Sequence, residues 1–193
     1  MENNFAKHTH HHNGKVAYLE SAARRAEFSP AQLLDRMPLR KTDNVLDFGA
    51  GTGYFTLPLA KKLEGTVYAL DIDGAMLEMI RTKAEEQQIP NIQLIQGESN
   101  RIPLPNASID HIVASLVLHE IHPLEETLQQ FRNVLKIGGS LVCLELEPKR
   151  AANEKAPRIT YAELERKLEG SGMRIIKKQF LTDDLYLMIA ENQ

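Results

Sequence analysis

The chain has 193 residues, a formal net charge of −3 and a single cysteine, Cys143. That length suits one domain with an ample core, and one cysteine excludes both a disulfide framework and a cysteine-built metal cluster. Acidic and basic residues are interspersed without a long basic block, which gives no support to a nucleic-acid partner. No apolar run nears the ~18 residues of a membrane span, so a cytoplasmic chain without membrane insertion is expected.

Residues 1–14 read as a polar leader. Its histidines, among them His8, His10 and His12, are either an imidazole tract for nickel or zinc or part of a floppy tail. Residues 15–27 read as a short helical extension, and 1–28 together form a candidate lid over a bound ligand. Tyr18, Arg24 and Arg25 are then candidate contacts. An arginine pair suits a carboxylate or phosphate, although a solvated helix face is its commoner use. Residues 29–193 are expected to form the single main domain. Ser29-Pro30 opens a helix to about residue 36, an N-cap followed by proline. Apolar runs at 45–48, 66–70, 92–95, 109–118 and 140–146 then alternate with helix patterns at about 54–63, 74–87 and 124–135. Such alternation predicts a parallel sheet with helices on both faces. A charged linker follows Pro148, then a helix over about 160–170. Two β-rich runs, 173–180 and 185–189, are separated by Thr182-Asp183-Asp184 and predict a closing antiparallel hairpin.

The most informative stretch is Val-Leu-Asp-Phe-Gly-Ala-Gly-Thr-Gly-Tyr-Phe at 45–55. Gly49, Gly51 and Gly53 permit a tight strand-to-helix turn on which a ligand lies against backbone. The dinucleotide fingerprint G-x-G-x-x-G fails here, because its third glycine falls at Tyr54. Asp47 puts a carboxylate at the strand end, which suits a cationic amino-acid ligand and repels a diphosphate. The ligand expected is S-adenosylmethionine rather than NAD. The second strand ends in Asp71, placed to accept hydrogen bonds from both ribose hydroxyls; a charge at a helix start, from Asp71 or Asp73, is the alternative. After the third strand, Glu98 can accept from an adenine amino group or be a plain loop acid. Ile102-Pro103-Leu104-Pro105 is either a wall of that pocket or a core contact.

On these residues, together with Ala69-Leu-Asp-Ile-Asp73, Met76-Leu77, Gly97-Glu98, Ile109–Val113 and Arg132–Gly139, the chain resembles the class I S-adenosylmethionine-dependent methyltransferases. It is most similar to the small bacterial ones of ubiquinone/menaquinone-biosynthesis type, from about Ser29 to Ala190. The resemblance implies an α/β, Rossmann-like, seven-stranded, mostly parallel sheet with the last strand inserted antiparallel. It implies that Asp47 with the glycine loop holds the methionine end, Asp71 the ribose and Glu98 the adenine. Glu98 departs from the family's usual aspartate by one methylene. Ala50, Ile72, Met76, Ser99 and Ser115 complete the expected cofactor set, with S-adenosylhomocysteine as product.

Methyl transfer needs no protein nucleophile, only alignment of donor and acceptor, plus a base where the acceptor must lose a proton. Candidate bases follow the fourth and fifth strands: His119, Glu120, His122, Glu145 and Glu147. The alternative for 119–122 is capping of the helix near Pro123, and H-E-x-H lacks the i, i+4 spacing of a helical zinc site. His111 is expected to be a packed or edge residue. The loop after the fourth strand lacks the Asn/Asp-Pro-Pro-Tyr/Phe sequence of methyltransferases acting on planar nitrogens, and Cys143 alone does not extend the resemblance to arsenic methyltransferases. A small-molecule acceptor is the leading expectation. A cofactor-binding regulatory partner without activity of its own, and an RNA- or protein-directed methyltransferase, are the alternatives.

Overall fold

The computed structural model describes residues 28–148 and 157–193. The lid candidates Tyr18, Arg24 and Arg25, and the histidines His8, His10 and His12, lie outside them. Helix α1 (Pro30–Leu34) starts where proline and its cap predict: Ser29 Oγ accepts from the Gln32 amide, and the Gln32 side chain accepts from the Ser29 amide. Thereafter come β1 (Val45–Phe48), α2 (Thr56–Lys62), β2 (Val67–Asp71), α3 (Gly74–Glu86), β3 (Ile92–Gln96) and β4 (Ile109–Ser115). A 3₁₀ turn (Leu118–Glu120) leads to α4 (Leu124–Val134), β5 (Leu135–Leu146), α5 (Tyr161–Gly170), β6 (Met173–Phe180) and β7 (Leu185–Asn192).

The seven strands form one sheet in the order β3-β2-β1-β4-β5-β7-β6. β3 to β5 are mutually parallel, and β7 runs antiparallel to both β5 and β6. The expected architecture, closing hairpin included, is what forms. Strand residues alternate between two apolar layers, as a sheet covered on both faces requires. Leu46, Phe48, Ile112 and Ala114 join Leu128 and Phe131 of α4 in one layer, where the Phe48 and Phe131 rings meet edge to face at 4.8 Å. Val45, Val113 and Val142 join Leu33 and Leu59 in the other.

Three boundaries differ from expectation. The apolar run 109–118 is not one strand: β4 ends at Ser115, and Leu116 turns left-handed at φ 52°, a conformation that breaks extended pairing. β5 begins at Leu135 rather than 140. Its glycine pair lets the strand bend close, since a Cβ on Gly139 would lie 2.9 Å from the carbonyl oxygens of Asp110 and Lys136. β7 runs on to Asn192 because that side chain is buried and donates to the carbonyls of Arg132, Leu135 and Lys136. His111 is indeed packed. Its Nδ1 lies 2.7 Å from Ser140 Oγ and its Nε2 3.1 Å from Asp43 Oδ2, and burial holds its pKa below the usual histidine value. This cluster sits where β4 starts, at the opposite end of the sheet from the glycine turn.

Candidate functional site

The glycine turn follows β1 at the carboxyl end of the parallel strands, with β1 flanked by β2 and β4. In an open α/β sheet that edge is where ligands bind. Gly49, Gly51 and Gly53 all take positive φ, at 71°, 53° and 89°. Gly49 is required twice over. A Cβ there would lie 2.5 Å from Cγ2 of Val117, so the turn after β4 rests directly on the glycine loop. Lys83 of α3 steadies the same loop through Nζ, 2.9 Å from the Thr52 carbonyl oxygen.

The loop amides separate a cationic ligand from a diphosphate. Gly49 and Ala50 donate to the Leu70 carbonyl and Gly53 to that of Ala50, while Gly51 donates to Asp71 Oδ2 at 2.8 Å. Four N–H groups that a phosphate would need are thus engaged, one of them by a carboxylate that would repel it. Asp71 also accepts from the Asp73 amide through Oδ1 at 2.9 Å. Each oxygen keeps a further lone pair, so the rigidly held carboxylate can still accept two ribose hydroxyls. Asp73 caps α3 by accepting from the Ala75 amide, which gives the helix-start role to Asp73 and leaves Asp71 to the turn.

Asp47 is buried, and its Oδ2 accepts from Thr56 Oγ1 at 2.5 Å. Burial, with a smaller contribution from the nearby Asp71 charge, pushes its carboxyl up to about 6, against the lowering effect of Thr56. Burial makes the Asp47 charge costly and the Asp71 charge adds to that cost, so a cation beside Asp47 is favoured. An amino acid bearing an ammonium and a sulfonium fits that demand, and a diphosphate does not.

Around this centre Ile72 is 71% exposed beside Asp71, an apolar surface open to a flat ring. Met76 and Ala50 are buried, and Met76 packs in the first turn of α3 without offering open surface. Glu98 is exposed just beyond β3, with Ser99 half-buried in the turn that follows. Ser115 ends β4, also half-buried.

The five candidate bases separate sharply. His122 and Glu120 are exposed. Glu147 accepts from the Tyr161 amide at 2.6 Å and so holds the start of α5. Glu145 is 0% exposed and does not face an acceptor as a base. Its Oε1 accepts the Val117 and Leu118 amides at 2.9 and 2.7 Å, and its Oε2 lies 2.7 Å from Nδ1 of His119. The expected capping of α4 by residues 119–122 is not formed, since no side-chain hydrogen bond caps that helix at Pro123. The amides of the turn before it are instead held from a strand 27–28 residues on. Thr56, Val117 and this use of Glu145 carry no local sequence signal, because each works through a contact distant in the chain. Among the described residues no group of three or more His, Cys, Asp or Glu is placed to hold a metal ion.

The methyltransferase domain profile matches residues 46–143, which run from β1 through the glycine loop into β5. The chain belongs to that family. S-adenosylmethionine is the cofactor that goes with this membership, in line with the charges around the loop. A demethylmenaquinone methyltransferase of Geobacillus sp. (strain WCH70) is 33% identical over 114 residues, covering 58% of this chain and 49% of that one. The chain spans about half the length of the curated relatives it matches. Among solved structures, a SAM-dependent methyltransferase from Aquifex aeolicus superposes with a TM-score of 0.85 at 24% identity, covering 93% of this chain and 98% of that one. Geranyl diphosphate methyltransferase in complex with SAM gives 0.74 at 13% identity, over 85% and 84% of the two chains. At such identities the two superpositions establish the shared fold of this methyltransferase domain and nothing finer.

Proposed function

We propose that this chain transfers the methyl group of S-adenosylmethionine to a small, hydroxylated aromatic acceptor of the quinol type. The observation that carries the cofactor half is the loop itself: its amides are engaged internally, and two carboxylates, Asp47 and Asp71, converge beside it. The acceptor half is supported by relatives named for demethylmenaquinone.

In this reading the ammonium of the methionine end lies near Asp47, Asp71 accepts the ribose hydroxyls, and Ile72 covers one face of the adenine. Glu98 with Ser99 meets its edge, and Ser115 with the turn after β4 borders the reacting centre. When bound, the sulfonium supplies a methyl carbon already activated for in-line displacement. The protein's own contribution is alignment and exclusion of water. A loop held by the Val117 contact at Gly49 and the Lys83 hydrogen bond to Thr52 keeps its position without reorganising. Residues 1–28 are the candidate lid, and the working compartment is the cytoplasm; among the described residues no helix is long and apolar enough to cross a membrane.

Titration calorimetry of the full chain with S-adenosylmethionine, S-adenosylhomocysteine and NAD tests the cofactor half. Binding of the first two and not the third is expected, and the reverse overturns the reading. Incubation with deuteromethyl-labelled donor and 1,4-naphthoquinol, followed by mass spectrometry, tests the acceptor half. Turnover by the purified chain alone would eliminate a role as an inactive regulatory partner.

A further inference from the structure

The fully buried Glu145 has a geometry that its neighbours do not share. Both its oxygens are aimed at donors on the turn after β4: Oε1 at two backbone amides and Oε2 at a histidine ring nitrogen. Glu145 sits on β5 opposite Tyr186 of β7. Cys143 and Tyr186, which feel its charge, are held neutral, chiefly by burial and secondarily by Glu145 itself. Glu120 is the remaining acid beside the histidine, with Oε1 3.9 Å from Nε2 of His119, beyond hydrogen-bonding distance. Glu145 Oε1 accepts both amide N–H groups, and an ionised carboxylate can only accept. The proton between Oε2 and the ring therefore sits on Nδ1, which leaves the lone pair on Nε2.

We propose that Glu145 is a positioning residue that fixes His119 as its Nδ1–H tautomer, so that Nε2 takes a proton from the methyl acceptor. This deepens the function proposed above and rests on it. It selects among acceptors. A group that must shed a proton on methylation, such as a phenol or quinol, gains from such a base, whereas a thioether or tertiary amine does not. In the step, the acceptor's O–H bond breaks and its proton passes to Nε2. The electron pair released makes the new bond to the methyl carbon, from oxygen or from the ring carbon conjugated with it. The carbon–sulfur pair stays on sulfur. A carbon so methylated afterwards loses its own proton while the oxygen regains one, which restores the aromatic ring and its hydroxyl, and the one proton released in all passes to water.

The 3₁₀ turn also places this pair beside the cofactor loop. Val117, whose amide Glu145 holds, is the residue that rests on Gly49. One carboxylate thus sets the height of the turn over the loop and the tautomer of the base on it.

Two measurements test the proposal. Long-range ¹H–¹⁵N correlation on the ¹⁵N-labelled full chain reads the tautomer of His119 directly, with His119→Gln used for assignment. At a pH where the ring is neutral the Nδ1–H form is expected; a neutral Nε2–H ring overturns the assignment. Glu145→Gln keeps the shape and one amide-accepting oxygen but offers an N–H to the ring, which forces the opposite tautomer. With 1,4-naphthoquinol as acceptor, kcat should fall by about a hundredfold or more. The acid limb of the kcat profile should vanish, while S-adenosylmethionine affinity and acceptor KM stay near wild type. An unchanged rate and pH profile would refute the positioning role. Failure of the wild-type chain to bind S-adenosylmethionine would instead sink the functional reading, and the ring tautomer would still decide the pair.

Discussion

Asp47→Asn should make the ligand-free protein more stable at alkaline pH while weakening its hold on S-adenosylmethionine. The Asp47 carboxyl stands at about 6 in the fold against an ordinary 3.8. A raised carboxyl favours folding in its protonated form, so its contribution is fully present below about 3.8 and is lost as pH rises through about 6. Above that, the ionised group costs on the order of 3 kcal/mol, the free-energy equivalent of the gap between the two values. Asparagine cannot ionise, and its carbonyl oxygen can still accept from Thr56 Oγ1. Urea denaturation of both proteins across about pH 4 to 8 reads the difference. The variant should match wild type at the acid end and gain on the order of 2–3 kcal/mol by the alkaline end. Calorimetry at neutral pH should show the opposite sign for the ligand, because an ammonium no longer meets a full charge. Wild-type affinity should itself climb as pH rises through about 6 and then level off. A pH-independent stability difference, or unaltered affinity in the variant, would refute the view that this acid is kept costly for the sake of a cationic ligand.

Asp71→Ala removes the acceptor for the Gly51 and Asp73 amides, so cofactor affinity should drop at least about tenfold by calorimetry with the circular dichroism spectrum retained. Gly49→Ala should cost about 2–4 kcal/mol in urea denaturation, from a left-handed alanine and the clash with Val117. The double variant with Val117→Ala should recover the clash part, and strictly additive effects would show that the two residues do not touch. Gly51→Val should abolish detectable S-adenosylmethionine binding while the chain still folds, as read by calorimetry and circular dichroism. Asn192→Ala leaves three carbonyl groups without their donor and should lower stability by about 1–3 kcal/mol, with cofactor affinity untouched.

What could be read from residue order was what depends on neighbours in the chain. The alternating glycines after β1 and the Ser29-Pro30 helix start each act within a few residues, and the structure bears them out as local geometry. The acid closing β2 is visible by its place at the strand end, although it reaches the Gly51 amide 20 positions back. Even the antiparallel closure was visible, because Thr182 to Asp184 reads as a turn between two β-rich runs. The boundaries that slipped did so where a distant group decides. β4 ends at Ser115 although the apolar run continues through Leu116, Val117 and Leu118, and the amides of the turn that follows are held by a carboxylate on β5. β7 outlasts its apolar run because Asn192 has carbonyls of α4 and β5 to bind. Within the site, Glu145 was visible as an acid in the right neighbourhood but not as the anchor of His119. Nothing in the sequence tells whether a carboxylate points at solvent or at a ring nitrogen 26 positions away.

The placement of β7 between β5 and β6 has a bearing on how the molecule assembles during synthesis. β6 leaves the ribosome first yet has no strand to lie against until β7 has followed it and docked on β5. A nascent chain halted between the two would display one bare ribbon of amides and carbonyls, the kind of edge that recruits a stray strand or a chaperone. Completion of the sheet is thus a late, single event, and lesions in β7 should surface as poor yield of folded protein before they surface as altered catalysis.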